Sequence, residues 1–277
     1  MVNGRSLIVT VFSIFIIAAI FETKSPSASP LAFVFTIVPW ALLCVIVILG
    51  FIETKRNAKL YAENNDAIAL LDSGRFAEAE LMFCKLNEKF KNNWIVKHNL
   101  ALTLIRQGKF ERAAHLLKDF SQLKQQELSK SFMFSTEAHL HALSSNLEEA
   151  EIACYKARNT ISTARSGLLA VANSVIAIRH GVFKQVAEVT DDEWFAAEMV
   201  AGGQMRLMRI LRAFALSKVP PTEQSQALMQ QMLAGARPFR PSEYDFLATR
   251  IPELKMFLIE HGFSQPQAAP GVQGAKV

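Results

Sequence analysis

A short segment that returns after 34 residues restricts the fold of this chain more than any other feature. Gly74-Arg75-Phe76-Ala77-Glu78-Ala79-Glu80 recurs as Gly108-Lys109-Phe110-Glu111-Arg112-Ala113-Ala114. Ser145-Asn146-Leu147-Glu148-Glu149-Ala150-Glu151 is a weaker third copy, and Gly181-Val182-Phe183-Lys184-Gln185-Val186-Ala187 a fourth, weaker still. Three of the four open on a glycine, which permits the left-handed backbone of a tight helix-to-helix turn. A large apolar residue follows, then a small one that lets two antiparallel helices approach closely. Apolar residues at helical spacing lie on both sides: Ala67, Leu70 and Leu71, then Leu100, Ala101, Leu104 and Ile105 upstream, with Phe83, Leu86, Leu117 and Phe120 downstream. The expected fold class is all-α, built from helical hairpins.

On these residues the chain resembles the tetratricopeptide repeat family, whose unit is a helix–turn–helix of 34 residues. The resemblance covers about residues 60 to 190. The small residue the family keeps in mid-helix is matched by Ala67, Ala101, Ala138 and Ser174. The family's aromatic near the start of the first helix is replaced by Glu63 and Lys97, and its closing proline by Lys91 and Gln125. The resemblance implies an α-solenoid whose first helices line a concave, partner-binding face. Its groove positions fall on Tyr61, Asn64, Ile68 and Leu71 of the first repeat, on Ile95, His98, Leu102, Ile105 and Arg106 of the second, and on Phe132, Ser135 and His139 of the third. Inter-repeat packing is the competing role for each. Of the five positions with which one subset of the family grips acidic chaperone C-termini, Asn99 alone matches; Asn64, Ile68, Phe132 and Thr136 stand at the others, which argues against that activity.

A second constraint sits at the N-terminus. Leu31 to Ile52 carries no charge over 22 residues, enough at about 1.5 Å per residue to cross the roughly 30 Å hydrocarbon core, with a mild kink expected at Pro39. Ser6 to Phe21 is another uncharged run, short for a span and long for a signal-peptide core, so an uncleaved transmembrane hairpin and a cleaved signal both stay open. Arg5 before the first run and Lys55, Arg56 and Lys59 after the second outweigh Lys24 between them, which places both ends in the cytoplasm. The expected organisation is an anchor over 1–56 (helices at about 6–21 and 31–52), helical repeats over 57–190, a C-terminal helical extension over 191–263 and a disordered tail over 264–277.

In the extension, Gly202-Gly203 should interrupt a helix, and Val219-Pro220-Pro221 should end one that reaches about Lys218. Thr222 should cap another that runs to Gly235, and Pro252 should interrupt a last one over Ser242 to His261. Arg206, Arg209 and Arg212 form a stripe at spacing three, read either as a solvated helix face or as contact with an anionic leaflet.

Chemistry is hard to find. His139 and His141 fall on different sides of a helix; His98, His115, His180 and His261 have no neighbour at metal-ligand spacing; no phosphate-binding glycine loop or nucleophile elbow is present. No catalytic, cofactor or metal site is expected. Cys44, Cys84 and Cys154 are odd in number and widely spaced, which fits structural thiols in a reducing compartment. Setting aside Arg5, Lys24 and Glu22 lowers the net charge only from +5 to +4, too mild a surplus to argue for nucleic acid. The expected function is that of a non-enzymatic scaffold that holds a protein or peptide ligand on its concave face and is anchored in the bilayer through residues 6–52. By analogy of architecture the membrane is the bacterial inner membrane. The alternative is a structural subunit of an integral membrane complex, held mainly through its hairpin.

Overall fold

The structure, a computed structural model, describes residues 30–91, 93–121, 127–144, 146–160, 167–189, 202–237 and 243–264. The turn glycines set its plan. Gly74, Gly108 and Gly181 have φ of 72°, 71° and 74°. At each the chain closes the preceding helix with the same pair of hydrogen bonds: Gly74 and Arg75 donate to Leu71 and Leu70, Gly108 and Lys109 to Ile105 and Leu104, Gly181 and Val182 to Ile178 and Ala177. This is the Schellman arrangement, which satisfies carbonyls a helix end would otherwise leave orphaned.

Helix α1 spans Pro30–Asp72 and α2 Phe76–Lys89; α3 is Trp94–Arg106 and α4 Phe110–Ser121; α5 is Glu127–Leu143 and α6 Leu147–Thr160; α7 is Gly167–Arg179 and α8 Phe183–Ala187. A fifth hairpin follows from α9, Gly202–Lys218, and α10, Glu223–Gly235, before two short helices, α11 at Asp245–Ala248 and α12 at Pro252–Glu260. No strand occurs among the described residues, so the all-α expectation holds.

The chain divides into two units, residues 1–63 and 64–277, and the boundary falls within α1. In the first unit, α1 passes through Pro39 without a break. From Ala41 to Ile52 it is apolar on every side, and Leu42, Leu43, Val45, Ile46, Ile48, Leu49 and Ile52 are all exposed. Among the described residues no helix is long and apolar enough to cross a membrane. The expected segment 6–21 lies outside those residues, as do the side chains of 31–40.

In the second unit, small residues mark the closest helix contacts: Ala67, Ala79, Ala101, Ala113, Ala138 and Ala150 are fully buried. The first helix of each hairpin packs on the next, α3 on α5, α5 on α7 and α7 on α9. Hydrogen bonds join them at nearly constant sequence separation: Asn99 Nδ2 donates to Asn64 Oδ1 (3.0 Å, 35 residues apart), Thr136 Oγ1 pairs with His98 Nδ1 (2.8 Å, 38 apart), and Ser174 Oγ donates to Met208 Sδ (3.6 Å, 34 apart). Between the first two copies of the recurring segment, Glu80 takes up Gln107, Lys109 and Arg112 together. Burial alone would raise the Glu80 pKa, but these three donors turn the balance and lower it.

In the C-terminal third, Gly202 and Gly203 are the first described residues of α9, and the helix expected before them lies outside the described residues. The last helical stretch is interrupted at Pro252 as expected: α11 ends at Ala248, and Pro252 is the first residue of α12, where its missing N–H costs no hydrogen bond. The arginine stripe departs from expectation, because it is part-buried against other helix ends. Arg206 Nη2 donates to the carbonyl of Asp72 (2.8 Å), Arg209 Nη1 to that of Gly235 and Arg212 Nε to that of Ala187 (3.1 Å), which are the last residues of α1, α10 and α8. Each guanidinium thus serves a carbonyl at the negative end of a helix. Thr222 does cap α10, in a reciprocal pair with Ser225.

Candidate functional site

The twelve groove positions divide sharply. Asn64, His98, Ile105, Ser135 and His139 are buried and occupied by the fold itself. Asn64 accepts from Asn99, His98 pairs with Thr136, and Ser135 Oγ donates to the carbonyl of Ser131 at 2.9 Å. Burial drags the pKa of His98 down to about 4, so its imidazole is neutral and a partner for Thr136, not a charge. Ile68, Leu71, Ile95, Leu102, Arg106 and Phe132 keep part of their surface. Tyr61 is exposed and belongs to the first unit.

Two clusters gather on the first-helix face. In one, Trp94, from the first turn of α3, stacks on Phe132 of α5 (centroids 5.7 Å apart), and His98 meets the same ring edge-on at 5.5 Å. Asn93 fixes that turn by accepting from the amides of Ile95 and Val96, an N-cap that holds Trp94 toward α5. In the other, the Arg106 guanidinium lies 5.1 Å over the ring of Phe246, and His139 meets that ring edge-on at 6.2 Å. Arg106 stands at the end of α3, His139 in α5, and Phe246 in α11. Just beside it, Arg206 Nε donates to Glu243 Oε1 at 2.8 Å, and Tyr244 is wholly buried with its hydroxyl directed at the carbonyl of Ala236 (3.4 Å).

The electrostatics follow from this burial. Burial pulls Arg106 down to about 10, against the opposing pull of Glu243, Tyr244 and Asp72. For Arg206 burial acts in the same sense, but the hydrogen bond and charge of Glu243 outweigh it and raise the pKa. Burial raises Asp72, partly offset by Arg106 and Arg206. His139 is pushed down to about 3, by burial first and then by Arg106, and its Nδ1 is buried with no hydrogen-bond partner. Two arginines from separate helices thus hold the Glu243 carboxylate, the Asp72 backbone carbonyl and an aromatic ring in a part-buried setting, where charge-assisted contacts count for more than they would in water.

A cleft of about 510 Å³ opens beside this cluster, with Gly74, Phe76, Arg106, Gly108, Phe246 and Thr249 among its lining residues. No group of three or more histidine, cysteine or acidic side chains among the described residues could hold a metal ion. Cys154 is buried, Cys84 half-buried, and both are unbridged; burial raises both thiol pKa values, that of Cys154 to about 11. Such thiols are poor nucleophiles.

Sequence reasoning missed Trp94, Glu243, Tyr244 and Phe246, and it found Arg206 only as part of a helix stripe, without its partners. Trp94 was within reach, being one helical turn before His98 on the same face. The others were not, because nothing local announces that a segment following Pro238 and Pro241 returns to the first three hairpins. No family model, curated protein or solved structure matches this chain.

Proposed function

We propose that the protein is a membrane-anchored adaptor with no catalytic role. In this reading a tetratricopeptide-like stack of hairpins presents its first-helix face as a trough for a partner protein, on the cytoplasmic side of a membrane that residues 6–52 enter. The register of the first helices carries the reading. Bonds between neighbouring first helices at separations of 35, 38 and 34 residues, each close to one repeat length, set equivalent positions side by side, the condition for a continuous trough. Ile68, Leu71, Ile95, Leu102 and Phe132 would supply its apolar contact, and Arg106 its charge. Anchoring is supported by seven exposed large apolar side chains around one stretch of α1, costly in water and favourable in lipid, and by Lys55, Arg56 and Lys59 directly after it.

The same exposed stretch supports a second reading, a subunit held in a larger membrane complex through its anchor. Photocrosslinking in membranes, with partners identified by mass spectrometry, separates the two. Exchange of Leu102→Ala together with Arg106→Ala should cut the yield of the main crosslinked partner by about tenfold. An unchanged yield would move the contact to the anchor.

A further inference from the structure

The first-helix face already holds a peptide, and the peptide is the chain's own. Three side chains from three helices converge on Glu243–Phe246. Arg206 of α9 binds the Glu243 carboxylate, Arg106 of α3 covers the Phe246 ring, and His139 of α5 abuts its edge; Arg206 also holds the Asp72 carbonyl at the end of α1. Glu243, Tyr244 and Phe246 are 4%, 0% and 3% exposed, whereas Asp245 between them faces outward. Leu247 and Ala248, at 0% and 5%, are inserted as well, so Asp245 alone of residues 243–248 faces solvent.

Resting on the trough reading above, we infer that Glu243–Phe246 is a resident ligand: it fills the place of a partner segment that carries a carboxylate three residues ahead of an aromatic ring, and it must leave for the partner to enter. The chemistry of the site defines that segment. A guanidinium fork takes the carboxylate, and a second guanidinium with a neutral imidazole takes the ring. The resident does not serve the site completely, because Phe246 brings no hydrogen-bonding group and His139 Nδ1 stays buried without a partner. A partner ring that bears a hydroxyl, able to donate or to accept, would meet that nitrogen in either tautomer. A resident ligand also sets a threshold, since the apparent affinity for an incoming segment falls by the fraction of molecules whose trough is open.

The test uses the full chain in lipid nanodiscs and a fluorescein-labelled peptide with the sequence of residues 243–249, followed by anisotropy. Phe246→Ala, which weakens the resident, should bind the peptide about tenfold or more tightly than the wild type does, and Glu243→Gln should shift affinity in the same direction. A control peptide with alanine in place of its glutamate and phenylalanine should not bind. Cooperative melting by circular dichroism certifies the fold; if Phe246→Ala loses it, Glu243→Gln alone decides. The inference is overturned if folded variants bind no better than wild type, or bind both peptides alike. Should capture of the crosslinked partner respond to Leu102→Ala while neither variant admits the peptide, the trough stands and the resident ligand falls. Capture indifferent to Leu102→Ala removes the trough itself.

Discussion

Arg206 donates its Nη2 to the carbonyl oxygen of Asp72, 134 residues away in the sequence, while its Nε holds Glu243. One planar side chain thus joins the last turn of α1, the start of α9 and the segment before α11. Lysine could not do this, because its single ammonium lacks the fork that lets two acceptors be held at fixed angles.

Arg206→Ala should therefore lower the unfolding free energy by about 2 to 4 kcal/mol, since it takes from the Glu243 carboxylate, whose side chain is 5% exposed, the guanidinium that hydrogen-bonds it. Arg206→Lys should recover less than half of that. Urea titration of the detergent-solubilised chain measures both, and a loss under about 0.5 kcal/mol for the alanine variant would show the tie to be incidental.

Arg209→Ala and Arg212→Ala should also lower the melting temperature, by about 1 kcal/mol each in stability, because each removes a donor from a helix-end carbonyl. Neither should change binding to anionic vesicles. The reverse pattern would restore the leaflet contact.

At Gly108 a Cβ would meet nothing within 4 Å, so a substitution there reports the backbone alone. With φ at +71°, Gly108→Ala should cost about 1 to 2 kcal/mol and Gly108→Val more, whereas Gly108→Asn, which tolerates this region, should cost less than alanine. Equal losses for all three would mean that the turn conformation is not what the glycine provides.

The two buried imidazoles make stability depend on pH. His98 and His139 have folded pKa values of about 4 and about 3, below the unfolded value near 6.5, so below pH 6.5 the unfolded chain binds more protons than the folded one. Their effect is nil above that pH, and each then costs about 1.4 kcal/mol per unit as pH falls toward its folded value. Glu80, with a lowered pKa, acts in the same direction at the acid end, while the raised Asp72 and Glu137 act against it. Denaturation midpoints from pH 7 to 4.5 should fall steeply, and His139→Phe should remove about half of the slope. A flat profile would place protonated imidazoles inside the fold.

Cys154, with its pKa raised to about 11, should alkylate about a hundredfold or more slowly than an exposed thiol at pH 8 and become reactive only on unfolding. Mass spectrometry after timed iodoacetamide exposure reads this directly. Fast labelling of the native protein would contradict the burial of α6.

How far the fold was legible depended on the range of the interactions that define it. The turns at Gly74 and Gly108 were legible because a Schellman end is made by residues within six positions of one another, and the small residues at Ala67 and Ala101 because helix packing leaves a periodic trace. The stripe of Arg206, Arg209 and Arg212 was legible as a helix face, but periodicity does not say what a face meets, and three distant helix ends proved to meet it. Likewise, the groove list was assigned by position alone, and five of its twelve residues proved buried. Position placed His139 and Ser135 on a first helix, but it could not show that α11 and neighbouring helices would bury them.

The tie between Asp72 and Arg206 also orders events during synthesis. At about 5 to 20 residues per second, roughly 7 to 27 s separate the emergence of the two residues from the ribosome. Each hairpin can form on its own shortly after it appears, since its contacts are local. The end of α1, however, must wait with its terminal carbonyl served only by water, and the arginine at the end of α3 waits longer still for Phe246. A chain stalled or truncated before α11 would therefore keep its hairpins and lack the ring that packs on Arg106 and His139.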